Sequence, residues 1–218
     1  MSISEKVLQL KQDFDEVHNK GYEDGKNIIT TKALTIRFSD LNFGVHSITL
    51  NLNNITTMSQ LFFKALGDTS EVTINCPNLI TAINAAFDGD TTDTKLKKIT
   101  LNVNTEKVTT FNAFVWGRQG LEIIDGTPLN FSSVTVIGSA FIGCSSLREM
   151  RIAPNTIKVA CNLSACSNLS NETIQSIIDG LADLTGDTMR ELDFHAGVVN
   201  KLTEEQWTQI ANKNWSVT

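Results

Sequence analysis

The chain has 218 residues, with 18 Lys and Arg against 24 Asp and Glu and a formal net charge of −6. This length suits one domain with one core, and the acidic balance argues against a nucleic-acid footprint, which needs a basic stripe. An apolar content of 41% excludes wholesale disorder, and 3 Pro and 13 Gly exclude collagen-like or Pro/Gly-rich chains.

The first predicted element is an amphipathic helix within residues 1–24. Its apolar residues recur at alternating intervals of four and three, as at the a and d positions of a coiled coil; they are Ile3, Val7, Leu10, Phe14 and Val17. This helix either caps the first repeat described below or assembles with copies of itself. Gly21 and Gly25 break the pattern and favour self-association. We expect a trimer first and a dimer second.

The N-terminal residues do not show the basic region and apolar run of a signal peptide. No run in the sequence approaches the ~18 apolar residues of a membrane span, so we expect no membrane insertion. The protein is predicted to stay where it is made or to leave inside an assembly such as a virion.

A strand pattern, apolar-x-x-apolar-x-apolar, recurs through the predicted repeat domain, residues 30–195. The middle position of each copy is Ile48, Val72, Ile99, Ile124, Met150 and Leu192. Successive copies lie 24, 27, 25, 26 and 42 residues apart. One copy cannot bury its own apolar row, whereas stacked copies about 4.8 Å apart share a continuous core. The period predicts a stack of parallel strands with an insertion before the last.

Two further columns keep the same step along the chain. The rings of the first are predicted to stack in the core; they are Phe62, Phe87, Phe114 and Phe141. The amides of the second are predicted to form a ladder, each bonding the backbone of the next repeat; they are Asn53, Asn78, Asn104, Asn130 and Asn155.

The insertion is predicted to be a helix over residues 170–184. Either Ser170 or Asn171 is a suitable N-cap, and isoleucines at helical spacing follow. A strand at residues 190–194 then resumes the repeat pattern.

A second helix is predicted over residues 202–215. Thr203 and Gln206 match a capping box, and Trp207 and Ile210 share one face. Residues 196–218 are therefore predicted to be a C-terminal cap, which covers the apolar end of the stack.

The sequence shows little of the chemistry of an enzyme. Its three histidines stand in unrelated contexts, and it lacks the common nucleophile, metal-ligand and phosphate-binding motifs. Asp88, Asp90 and Asp93 form an acidic cluster that would suit calcium or glycosidic chemistry, but a solvated turn is the favoured interpretation. We predict no catalytic residue, metal or cofactor.

The four cysteines lack CxxC spacing and are predicted to be buried thiols, with Cys144 and Cys166 on neighbouring repeats.

Candidate binding residues follow from strand alternation, which turns every second side chain outward. One outward column contains Thr73, Thr100, Asp125 and Arg151. A second candidate is the turn with Trp116 and Arg118, because an exposed Trp–Arg pair is a frequent binding anchor. The alternatives are a plain solvated sheet for the column and a tryptophan tucked under its turn.

Residues 134–154, VTVIGSAFIGCSSLREMRIAP, resemble a BspA-like leucine-rich repeat. The matching positions are Ile137-Gly138, Ala140-Phe141, Cys144, Leu147, Met150, Ile152 and Pro154. The resemblance extends over residues 45–195 and implies an α/β solenoid with a parallel sheet and coils of 24 to 27 residues. Members of this family are mostly surface or adhesion proteins, and related repeats occur in phage and prophage tail-region proteins. The C-terminal residues also resemble the closing segment of phage-associated members.

This resemblance implies a non-enzymatic structural or binding protein of a phage virion or tail. Its partners would be other subunits of the assembly, or a glycan or protein of the host surface. A bacterial adhesin is the first alternative, and a parallel β-helix tailspike that degrades polysaccharide is the second. The tailspike would use Asp125 and Asp193, which are predicted to lie roughly 14 Å apart, further than glycosidase geometry allows.

Overall fold

The aliphatic and β-branched residues of the repeats alternate with polar ones, and they form strands in the part of the chain that the computed structural model describes. That part comprises residues 47–52, 57–59, 69–79, 82–89 and 94–218, which belong to one compact unit. The predicted helix within residues 1–24 and its self-association lie outside it, as do Asn53, Phe62, Asp90 and Asp93.

Four strands form a parallel sheet in which strand order follows the chain. They are β1 (Ser47–Asn51), β3 (Glu71–Leu79), β5 (Lys98–Asn104) and β6 (Ile123–Gly126). Ile48 pairs with Val72, Val72 with Ile99, and Ile99 with Ile124. These residues are the middle positions of the repeated pattern. One step from strand to strand in this sheet therefore equals one sequence interval.

Two smaller parallel sheets accompany the first. One pairs β2 (Thr57–Ser59) with β4 (Ala82–Asn84), and the other contains β7 (Cys161–Leu163), β8 (Arg190–Phe194) and β9 (Trp215–Val217). Strand β8 confirms the strand predicted at residues 190–194. Isolated parallel bridges, such as the one between Leu129 and Ile152, continue the pairing between β6 and β7.

Helix α1 (Asn171–Gly180) lies within the predicted insertion. It begins after Ser170, whose side chain accepts a hydrogen bond from the Thr173 amide. The helix ends four residues before the predicted boundary. Leu181 is extended and forms a parallel bridge with Ile157, because the chain returns there to strand pairing.

The C-terminal region holds two helices, α2 (Ala196–Val199) and α3 (Glu204–Asn212). The capping box at Thr203 is present as predicted. The predicted extension of α3 to residue 215 is wrong. Asn214 adopts a left-handed φ of 62°, which ends the helical path and directs the chain into β9.

The helix predicted to hold both tryptophans of this region holds only Trp207. Trp207 is 40% exposed, whereas Ile210 of the same helix is buried. Trp215 lies in β9, where it is buried and its Nε1 donates to the Ala182 carbonyl at 2.9 Å. The buried tryptophan of this region is therefore a strand residue.

The core contains the predicted phenylalanine column. Phe87, Phe114 and Phe141 are all buried. Neighbouring rings meet edge to face, with centroids 5.7 Å apart for Phe87 and Phe114 and 6.5 Å for Phe114 and Phe141. The predicted register of this column is therefore confirmed.

The four cysteines are buried, as predicted. The Cys144 thiol donates to the Val115 carbonyl at 3.1 Å. Because burial disfavours the thiolate, it raises the pKa of Cys144 and of Cys161 to about 12 and also raises the pKa of Cys166. These thiols therefore stay protonated and unreactive in the folded protein.

The helices of the described segments are short and amphipathic. None of them has the length and apolar character needed to cross a membrane. The longest, α1, has 10 residues, about half of what a bilayer requires.

Candidate functional site

The outward side chains of the four-stranded sheet align in columns across the strands. We call this surface the outer sheet face, and its columns are Glu71-Lys98-Ile123, Thr73-Thr100-Asp125 and Asn51-Asn75-Asn102. The residues between them are buried, for example Val72, Ile99 and Leu101. The alternation predicted from sequence is confirmed for these strands.

Asp125 lies between two cations on the outer sheet face. Its carboxylate is 3.2 Å from Lys98 Nζ and 3.3 Å from Arg151 Nη2, and Arg151 also donates to the Gly126 carbonyl at 2.6 Å. A hydrogen bond from the Gly126 amide and the neighbouring Lys98 lower the pKa of Asp125. The carboxylate therefore stays ionised and orients both cations.

A second group of ion pairs lies beside the first and is centred on Glu122. Its carboxylate is 3.5 Å from Lys97 Nζ and 3.7 Å from Arg148 Nε, and Arg148 also pairs with Glu149. The side chains are substantially exposed, so these pairs add little stability. Lys97 and Glu122 directly precede β5 and β6, so this group adds alternating charge at the amino-terminal edge of the outer sheet face.

The structure brings together four of the six predicted binding residues. Thr73 pairs with Thr100 and Thr100 with Asp125, while Arg151 bonds Asp125. Among the described residues, neither threonine hydroxyl has a hydrogen-bond partner. The column therefore offers two hydroxyls next to an ordered ion pair.

The predicted Trp116–Arg118 anchor is wrong in its arginine. Arg118 is fully buried, and its Nε and Nη2 donate to the carbonyls of Phe87 and Asp88 at 2.6 and 3.2 Å. This guanidinium ties its turn to the preceding repeat and is inaccessible to a partner. Trp116 is 37% exposed, so its indole does lie at the surface. Ile142 is a second exposed apolar residue, at 38%.

The asparagine ladder exists, but not in the predicted column. Asn75 Nδ2 donates to Asn51 Oδ1 at 2.8 Å, and Asn102 Nδ2 donates to Asn75 Oδ1 at 2.7 Å. Asn104 and Asn130 of the predicted column bond within their own turns instead. The reason is local, because each amide oxygen reaches the backbone N–H two residues ahead.

A groove lies at the carboxyl ends of β5 and β6, where the asparagine ladder stops. Its volume is about 530 Å³, and none of the described residues that line it is charged. We call it the Asn/Thr groove; its polar residues are Asn102, Asn104, Thr105, Thr127 and Asn130. The sequence analysis missed this groove. One signal was present in the spacing, because Asn102 of the groove follows the outward Thr100 by two residues.

The described residues contain no group of three histidine, cysteine, aspartate or glutamate side chains placed to hold a metal ion. Comparison of the chain with known proteins provides no relative from which to assign a function. No protein-family model, curated protein or solved structure matches it.

Proposed function

We propose that this chain is a non-enzymatic binding protein of a phage virion or tail, built as a leucine-rich-repeat solenoid. The proposal begins from the resemblance of residues 134–154 to a BspA-like repeat. Support comes from the parallel sheet, whose strands follow one another at 24 to 27 residues in sequence. The partner would be another subunit of the particle or a component of the host surface.

The observation that carries the proposal is the order of the outer sheet face. Thr73, Thr100 and Asp125 form one column on hydrogen-bonded strands, and the Arg151 side chain joins it through an ion pair with Asp125. Such groups lose little conformational freedom when a partner binds, and this favours recognition over loosely held surface residues. Their polar, mixed charge suits a hydrated contact.

The environment of Asp125 excludes one of the two roles that the tailspike alternative requires. The Gly126 amide, together with Lys98 and Arg151, lowers the pKa of Asp125, whereas the acid of a glycosidase needs a raised pKa. Asp125 is therefore better suited to binding than to proton donation.

Particle association and surface recognition require separate tests. An antibody against the protein should detect it in density-purified phage particles from a strain that carries its gene. Its absence from those particles would overturn the virion setting.

Attachment of the labelled protein to host cells tests the outer sheet face. Thr100→Arg places a bulky cation in the central column and should abolish attachment. Thr188→Arg is the matched control, because Thr188 is exposed and lies outside the strands. Equal attachment by both variants would show that the outer sheet face is not the contact surface.

A further inference from the structure

We infer that the Asn/Thr groove binds a neutral saccharide chain that runs across the strands. The inference deepens the proposed function and rests on it, since it names the class of ligand recognised at the carboxyl edge of the outer sheet face. The groove has a volume of about 530 Å³ and is largely open to solvent, so an extended chain can enter it from outside.

The donors of the groove are oriented by the protein itself. Asn104 Oδ1 accepts from the Glu106 amide, and Asn130 Oδ1 accepts from the Ser132 amide, both at 2.9 Å. Each Nδ2 group is thereby turned away from its own backbone turn. Among the described residues, neither Nδ2 group has a hydrogen-bond partner. Two amide donors are thus held ready for a ligand oxygen.

The acceptors come from the end of the asparagine ladder. Asn102 donates its Nδ2 to Asn75, which leaves its Oδ1 as an acceptor in the groove lining. The exposed hydroxyl of Thr127 can donate or accept. Each hydroxyl of a sugar also donates and accepts, so it matches this mixture of groups.

The rest of the groove also fits a neutral sugar. Pro128 and Ala153 contribute apolar surface, against which the C–H face of a sugar ring packs. The absence of charge from the described lining disfavours an anionic polymer, which would need paired cations.

The spacing of the strands favours a saccharide over a peptide. Equivalent groups on neighbouring strands recur about every 4.8 Å, close to the length of one sugar residue in an extended chain. In an extended peptide, side chains on the same face recur about every 6.6 Å. A peptide laid across the strands would therefore lose register with the asparagine and threonine columns.

The test uses the full chain on an array of short neutral oligosaccharides, with heparin and extended peptides on the same array. The informative variant combines Asn104→Asp and Asn130→Asp. Aspartate keeps the oxygen that accepts from the backbone amide but removes the Nδ2 donors and adds charge. The control is Asn162→Asp, because Asn162 makes the same turn with the Ser164 amide and is absent from the groove lining.

We expect the wild-type protein to bind a neutral oligosaccharide and the double variant to lose about tenfold in affinity for each amide. Asn162→Asp should bind like wild type, and all three proteins should melt at similar temperatures. Binding to no neutral oligosaccharide, unchanged binding by the double variant, or equal loss in the control would each overturn the inference. Preference for heparin or for peptides would do the same.

Failure of this inference is distinguishable from failure of the proposed function. If Thr100→Arg prevents attachment to host cells while the double variant attaches normally, the outer sheet face binds a partner and the groove does not hold a saccharide. If neither variant changes attachment, the outer sheet face is not the contact surface, and the observation that carries the proposed function is lost.

Discussion

The Nε atom of Arg118 donates to the carbonyl of Phe87 at 2.6 Å in the interior of the protein. The two residues belong to successive Phe-containing repeats, and Arg118 has no exposed surface. A charged side chain thus joins two repeats from inside. Its burial requires main-chain carbonyls to take the place of water.

Arg118→Met should destabilise the protein by about 3 kcal/mol, because it leaves buried carbonyls without their donor. Urea unfolding measures the loss. Arg148→Met is the control, since the Arg148 side chain makes exposed ion pairs with described residues, and this substitution should cost less than about 1 kcal/mol. Equal losses of stability from the two substitutions would show that the buried Arg118 guanidinium stabilises the protein no more than an exposed arginine does.

Phe114→Ala should cost about 3–5 kcal/mol, because it removes the central ring of the phenylalanine column. Trp116→Ala, only two residues away but at the surface, should cost much less. Thermal or urea unfolding of both variants tests the register of the core. A small loss from Phe114→Ala would contradict it.

Lys213→Met should weaken the end of helix α1. The Lys213 ammonium donates to three carbonyls near the end of this helix, those of Ile178, Asp179 and Leu181, at 3.0, 3.1 and 2.7 Å. Loss of these bonds should cost about 1.5–3 kcal/mol. Hydrogen exchange of the last turn of α1 should accelerate, whereas Lys158→Met, at an exposed position, should leave it unchanged.

The cysteines should resist a thiol reagent in the native protein, and four should react after denaturation. Two reactive thiols in the unfolded protein would instead reveal a disulfide.

The raised pKa values of the cysteines also predict that stability depends on pH. Above the ordinary value of 9.0 the unfolded thiols ionise, while Cys144 and Cys161 stay protonated up to about 12. Stability should therefore fall as the pH rises from 9.0 towards 12, and substitution of both residues by alanine should reduce the slope.

Deletion of residues 1–24 tests the predicted self-association helix. If the helix drives assembly, the shortened protein should remain folded and an oligomer should become monomeric in light scattering. If the full chain is monomeric at every concentration and the deletion lowers its melting temperature, the helix is a cap and the oligomer prediction is wrong.

The parts of the fold that the sequence predicted depend on periodicity and local signals. Residues at one period become neighbours in a parallel sheet, so the periodicity alone was enough to assign Val72, Ile99 and Phe114 to the core. The Ser170 and Thr203 caps could be recognised because their partners lie within three residues.

The parts that the sequence did not predict depend on contacts between distant residues or on side-chain direction. The asparagines of two different columns recur at similar sequence intervals. Only the outward direction of the Asn75 side chain brings it within hydrogen-bond distance of Asn51 and Asn102. Arg118 could not be recognised as buried, because the carbonyl it bonds lies 31 residues earlier. The end of α1 depends on the bridge between Leu181 and Ile157, which no local signal marks.

The match between strand order and chain order has a mechanical consequence. A force that separates β1 from β6 acts across the strands. It breaks the hydrogen bonds between neighbouring strands one after another, so a small force is enough. A force along a strand shears all hydrogen bonds of an interface together and meets far more resistance. If a partner binds the outer sheet face, the direction of the force from the rest of the particle will decide whether the strands separate one by one or resist shearing together.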